Sequence, residues 1–219
     1  MVDISILIPT LESRKPLFTD VHTEILRQVK ECSEEISVEV LYSSDNGELT
    51  LGAKRNLLVS QCKGKYHCFI DDDDVLAPYY LKTFVPMIKS GIDYDCAAFL
   101  GAHYHEGKFN KLFYHSLDFY EWFEQPEAYY RTISPMNLIR TSIVREVRYA
   151  DIRNTEDHEF SKRLCASGLL KTEFKIDKTK PLYHYVDGAK ESRPEWKYRW
   201  NGLYLTLYKQ QSPFSFLNK

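Results

Sequence analysis

The chain has no CxxC pair, and its five cysteines, Cys32, Cys62, Cys68, Cys96 and Cys165, are odd in number. That argues against a disulfide framework and a cysteine-rich zinc site, and fits reduced thiols in a cytosol-like compartment. No run approaches the roughly 18–20 apolar residues of a membrane span. The first apolar stretch carries Asp3 and is far too short for a signal core. The expectation is a soluble, cytoplasmic protein without a transmembrane segment, with peripheral membrane contact left open. Neither sign of charge dominates: 29 Lys and Arg against 31 Asp and Glu give a net charge of -2, so no basic field argues for nucleic acid. Glycine is missing from Pro9-Thr10-Leu11-Glu12-Ser13, which counts against a glycine-rich phosphate loop after the first strand. There is no internal repeat, low-complexity tract or linker, so the 219 residues read as one domain.

What is present is ordinary for a folded protein, 43% hydrophobic and 27% charged, and rich in aromatics with 16 Tyr and 12 Phe. Ile4 to Pro9 reads as a buried strand. Leu17 to Glu34 reads as a helix with Val21, Ile25, Leu26 and Val29 on one face. Val38 to Ser43 is a second buried strand, ended by the turn signal Ser44-Asp45-Asn46-Gly47. Leu51 to Gln61 is a helix with Ala53, Leu57 and Leu58 inward, and Tyr66 to Ile70 is a third strand. Pro78 starts a helix that Pro86 kinks or shortens, and Cys96 to Leu100 is a fourth strand. This alternation predicts an α/β fold with a mostly parallel sheet covered on both sides.

Further on, Ala102 to His115 reads as a hairpin turning at Glu106-Gly107. Ser134-Pro135 caps a helix through about Arg145, and Thr155 opens another that stops at Gly168. Strands near Leu170 to Ile176 and Pro181 to Val186 precede a C-terminal helix over Trp196 to Lys209.

The sharpest feature is Asp71-Asp72-Asp73-Asp74, directly behind the third strand. Side chains alternate along an extended segment, so Asp71 and Asp73 point the same way. Two such carboxylates about 5 Å apart repel by roughly 3 kcal/mol at an effective dielectric near 20, which a hard cation relieves. An ordinary solvated turn or helix start is the plainer alternative. An EF-hand fails on spacing, since Leu76 and Lys82 stand where glycine and glutamate are required. The polar clusters at Thr10 to Arg14, Asp45 to Gly47 and Asp71 to Asp74 all follow strands, where ligands of parallel sheets bind.

Ile6-Leu-Ile-Pro-Thr10, Asp45, Gly52-Ala-Lys-Arg55-Asn56, Phe69-Ile-Asp-Asp-Asp-Asp74 and Thr155-Glu-Asp157, in that order, resemble the GT-A glycosyltransferases, of the family 2 type. The chain is also similar to small glycosyltransferase domains of large algal viruses. The resemblance spans roughly residues 4 to 185. It implies a Rossmann-like GT-A fold, with a mostly parallel central sheet flanked by helices and a smaller acceptor-side β-hairpin region. Residues 1 to 100 form the nucleotide-sugar-binding half and 101 to 219 the acceptor and catalytic half.

The resemblance also implies roles. Asp71 and Asp73 match a DxD motif that holds Mn²⁺ or Mg²⁺ and the donor ribose, with Asp73 the direct ligand. Asp72 joins the donor-binding set, although it or Asp74 alternatively caps the next helix. Asp45 matches the acceptor of a nucleobase hydrogen bond, or is only an Asx turn with Asn46-Gly47. Thr10, Glu12 and Arg14 line the nucleotide pocket, and Arg55 faces a phosphate. Asp157 matches the base of inverting transfer, against the alternative that Glu156-Asp157 merely favours a helix dipole. His184 matches a late metal-binding histidine, and His158 either orients the base or is a bystander. Phe119 to Tyr130 stacks on an acceptor sugar or is core or lid.

Many relatives carry a glycine-rich loop before the Glu-Asp helix. Here the segment is Ile133-Ser-Pro-Met-Asn137, so no acceptor residue carries over. The implied partners are a nucleotide-sugar donor, a UDP-sugar, and a glycan or other hydroxyl acceptor. The rivals are a nucleotidyltransferase, which the missing glycine loop opposes, and a non-catalytic binding module, which the intact Asp71, Asp73 and Asp157 oppose.

Overall fold

The computed structural model describes residues 1–187; the helix expected over Trp196 to Lys209 lies outside them. The elements run β1 (Ile4–Leu11), α1 (Lys15–Cys32), β2 (Val38–Asp45), α2 (Leu51–Gln61), β3 (Tyr66–Phe69), β4 (Val75–Leu76), α3 (Tyr80–Lys89), β5 (Cys96–Ala97), β6 (Phe99–His105), β7 (Lys108–His115), β8 (Phe123–Glu124), β9 (Ala128–Arg131), β10 (Ile139–Arg140), α4 (Thr141–Val147), α5 (Glu156–Ser167), β11 (Glu173–Phe174) and β12 (Tyr183–Asp187). The expected α/β class is observed.

Six strands form a first sheet in the order β11-β5-β10-β3-β1-β2. Parallel pairing of β1 with both β2 and β3 brings their carboxyl ends to one edge. The sheet is mixed, because β10 runs antiparallel between β3 and β5. Alternation along β1 sends Ile4, Ile6 and Ile8 into one core with Val21 and Ile25 of α1 and Leu81 and Phe84 of α3. Leu7 and Phe69 enter a second core with Leu58 of α2, Val144 of α4 and Phe160 and Leu164 of α5. Helices thus cover both faces, as the run of apolar residues in β1 requires.

The second sheet has the order β4-β12-β6-β7-β9-β8. Its centre is the expected hairpin, β6 against β7, with the turn at Glu106 and Gly107, both at positive φ.

Several local expectations need correction. Cys96 to Leu100 is not one strand. Ala97 stays in the first sheet beside Phe174, whereas Phe99 pairs with His115 and starts the second. Strand β2 is only half-buried, since it is the outer strand of its sheet. On α1, Leu26 is 47% exposed and Gln28 is buried in the apolar face. Gln28 satisfies its amide by donating to the Ala77 carbonyl at 2.8 Å and accepting from the Leu81 N–H at 3.0 Å. On α2, Leu57 is 39% exposed while Lys54 and Arg55 are buried.

Ser134-Pro135 starts no helix. The Pro135 carbonyl accepts the Phe69 N–H, and Asn137 folds back on the Ser134 N–H, so α4 begins only at Thr141. Thr155 does precede α5, but at φ +61° and without a side-chain cap.

Candidate functional site

Adjacent parallel strands explain why distant residues meet. Thr10 at the end of β1 donates through Oγ1 to Asp72 Oδ2 at 2.5 Å. Asp45, in register with Leu11, accepts from Lys54 Nζ at 2.6 Å, and the same ammonium donates to the Thr10 carbonyl at 2.5 Å. Lys54 therefore ties three segments together from the buried face of α2. Sequence reasoning passed over it because a lysine is normally solvated. Its four-residue spacing from Leu58, which puts both on one helical face, was the available signal. Burial opposes ionisation of Asp45, but Lys54 and the N–H groups of Gly47 and Leu49 outweigh it and lower the carboxyl below its usual range.

The four aspartates alternate. The Asp71 and Asp73 side chains are 36% and 27% exposed, whereas Asp72 and Asp74 are buried. Asp72 is held by Thr10 and by Arg14 Nη2 at 2.6 Å, and Arg14 also pairs with Asp73. Asp72 thus fixes the loop from inside, and so does Asp74. The Asp71 N–H donates to the Tyr183 hydroxyl at 3.1 Å, and the Val186 N–H reaches Asp74 Oδ1 at 3.1 Å. Neither buried aspartate caps α3, whose N-cap residue is Tyr79.

Arg55 lies over the Phe69 ring at 4.6 Å. It bridges Asp71 at 3.4 Å and Glu156 at 3.2 Å. It therefore links the acidic loop to the first turn of α5. Desolvation raises the Asp71 pKa; Arg55 opposes the rise, while Asp73 and Asp157 add to it. Glu156 is buried and its pKa is raised by burial, with Arg55 again opposing. The next residue, Asp157, is half-buried, and its Oδ1 accepts its neighbour's His158 N–H at 2.7 Å. Asp71 and Asp157 line one cavity of about 360 Å³, shared with Arg55, Arg131, Trp122, Tyr129 and Tyr185.

Two expected residues stay apart from this cluster. Glu12 is exposed in a 3-10 turn, and among the described residues no hydrogen bond or ion pair joins it to the others. His184 is a correction. Alternation along β12 puts it on the face opposite Tyr183 and Tyr185, buried with its ring 5.6 Å from Tyr104. Burial pushes its pKa down to about 3. Among the described residues no three His, Cys, Asp or Glu side chains gather to hold a metal ion, so the expected set of Asp71, Asp73 and His184 is not assembled.

The aromatic segment divides. Phe119, Phe123 and Tyr130 pack on one another, whereas Trp122 and Tyr129 face the cavity. Trp122 lies 4.6 Å from the His158 ring and 4.3 Å beneath the Arg131 guanidinium. His158 thus contacts the cavity wall. Arg131 was missed, since no motif marks it. No helix among the described residues is long and apolar enough to cross a membrane.

No curated protein sequence matches this chain. Among solved structures, residues 1–349 of S. aureus TarS superpose with a TM-score of 0.56 at 16% identity, over 84% of this chain and 60% of that one. The same TarS segment in complex with UDP-GlcNAc gives 0.56 and 16%, over 87% and 61%. A longer S. aureus TarS structure gives 0.54 and 15%, over 85% of this chain and 37% of that one. The chain therefore spans about 60% of the length of the shorter TarS segment, and at this identity the likeness is one of fold. The family model described as glycosyl transferase family 2 matches residues 19–148, more than half of the sequence. The chain belongs to glycosyl transferase family 2.

Proposed function

We propose that this protein is a metal-dependent, inverting glycosyltransferase that moves a sugar from a UDP-sugar to a hydroxyl of a glycan or other acceptor. The observation that carries this reading is the shared cavity, with Asp71 of the acidic loop and Asp157 of the Glu-Asp pair in its wall. The choice of uridine rests on TarS, a protein of the same fold whose structures include complexes with UDP-GlcNAc and with UDP.

The donor set fits a hard cation: Asp71 and Asp73 are the more exposed pair of carboxylates, and burial first, then like charge from Asp73 and Asp157, raises the Asp71 pKa against the pull of Arg55. These two carboxylates would hold Mn²⁺ or Mg²⁺. Such an ion supplies Lewis-acid stabilisation to the departing nucleoside diphosphate. Asp45, at the end of β2, accepts from the nucleobase. Arg14 neutralises the loop beside the diphosphate.

Asp157 takes the proton from the acceptor hydroxyl as its oxygen bonds to the anomeric carbon. The bond from that carbon to the diphosphate oxygen breaks, and its electron pair leaves with UDP. Arg55, fixed between Asp71 and Glu156, keeps the donor loop and the base in register. The test is release of UDP from a panel of UDP-sugars with Mn²⁺ and glycan acceptors. Asp157→Ala is expected to bind UDP like wild type and to lose transfer by about 100- to 10,000-fold. Wild-type turnover in that variant would remove Asp157 from the mechanism.

A further inference from the structure

Arg131 ends β9, beside His115 of β7, and faces the cavity that holds Asp157. Its guanidinium lies 4.3 Å over Trp122 and 5.5 Å from the Tyr129 ring. Among the described residues its guanidinium has these two ring contacts and no ion pair or hydrogen bond, although an arginine carries five N–H donors. The other cavity carboxylates already have partners. Asp71 pairs with Arg55, and Asp187 pairs with His103 at 3.0 Å and His105 at 2.6 Å. Asp157 attracts Arg131 only from beyond ion-pair distance, and burial lowers the Arg131 pKa without neutralising it. A stacked, half-buried guanidinium with unused donors suits a planar or tetrahedral anion.

Building on the proposed transferase reading, we propose that Arg131 selects acceptors carrying an anionic group, a carboxylate or a phosphate, close to the hydroxyl that Asp157 deprotonates. The guanidinium, held on the Trp122 ring, then meets the charge, and Tyr129 lines the same cavity.

The experiment titrates matched probes into the full chain in the presence of UDP and Mn²⁺, with calorimetric detection. The pairs are methyl glucuronide against methyl glucoside, and glucose 6-phosphate against glucose, so the two arms separate carboxylate from phosphate. Wild type is expected to bind at least one anionic member about tenfold or more tightly than its neutral partner. Arg131→Met is expected to erase that difference while UDP affinity and neutral-probe binding stay unchanged. Arg131→Lys, which keeps the charge but not the fork, is expected to retain part of it.

Equal or undetectable binding of both members of both pairs by wild type would overturn the inference. So would Arg131→Met weakening UDP as much as the anionic probe, since the guanidinium would then serve the donor. Failure of the transferase reading is a separate outcome, seen as no UDP release from any sugar nucleotide by wild type.

Discussion

At the residue scale, the run of four aspartates works as two interleaved pairs. Asp72 and Asp74 are buried and anchored, Asp72 to Thr10 and Arg14 and Asp74 to the Val186 N–H. Asp71 and Asp73 are thereby presented outward. The account predicts that Asp73→Ala loses the enhancement of UDP binding by Mn²⁺, about 10- to 100-fold by titration calorimetry. An undiminished Mn²⁺ effect would remove Asp73 from the site.

Asp74 gives a pH-dependent prediction. Burial first, then the charges of Asp71 and Asp73, raise its folded pKa well above 3.8. A raised carboxyl contributes stability that is complete below the unfolded value and is lost as pH climbs through the folded one. Asparagine mimics the protonated form. Asp74→Asn should therefore match wild type in thermal melts below pH 4 and exceed it by about a few degrees at neutral pH without metal. A variant less stable than wild type at neutral pH would contradict this. Asp71 and Asp73 are the more exposed two of the four, but they sit in a turn, with the Asp74 N–H on the Asp71 carbonyl at 3.3 Å, and not in the extended segment that strand alternation assumed. The misplacement of His184 arises because a motif match carries no information about which face of β12 a residue occupies.

At the scale of elements, the three parallel strands and the helices between them were legible because apolar period and turn residues agreed. Agreement failed where tertiary contacts decided. Pro135 resembles a helix start, yet its carbonyl is used by Phe69 of β3. The burial of Lys54 and Arg55 on α2 was hidden because charge normally marks the solvent face, and only carboxylates supplied by other segments reverse that.

The docking of α2 makes its own prediction. A Cβ on Gly52 would lie 1.7 Å from the Ala150 carbonyl oxygen, and the Gly52 N–H donates to Ile152 at 3.2 Å. Alanine inside a helix normally gains about 1 kcal/mol over glycine. Gly52→Ala should instead destabilise by about 1–3 kcal/mol in urea unfolding, because backbone must shift. An unchanged or raised midpoint would contradict the close approach.

At the scale of the whole molecule, two sheets share the work. The first brings the ends of β1, β2 and β3, with Thr10, Asp45 and the acidic loop, to a common edge. The second supplies Tyr185, Arg131 and the aromatic wall from β12, β9 and the segment before β9. Arg55 is buried between the acidic loop and α5. The first half was readable from sequence because its motifs follow strands one by one. The second was not, because short strands paired out of chain order place His103, Arg131 and Tyr185 on one wall without any shared pattern. The most direct measurement is a crystal structure of the Asp157→Ala protein with a UDP-sugar, Mn²⁺ and no acceptor. The account predicts the ion on Asp71 and Asp73, and the anomeric carbon in the cavity facing position 157. A donor bound elsewhere, or an ion that ignores both aspartates, would contradict it.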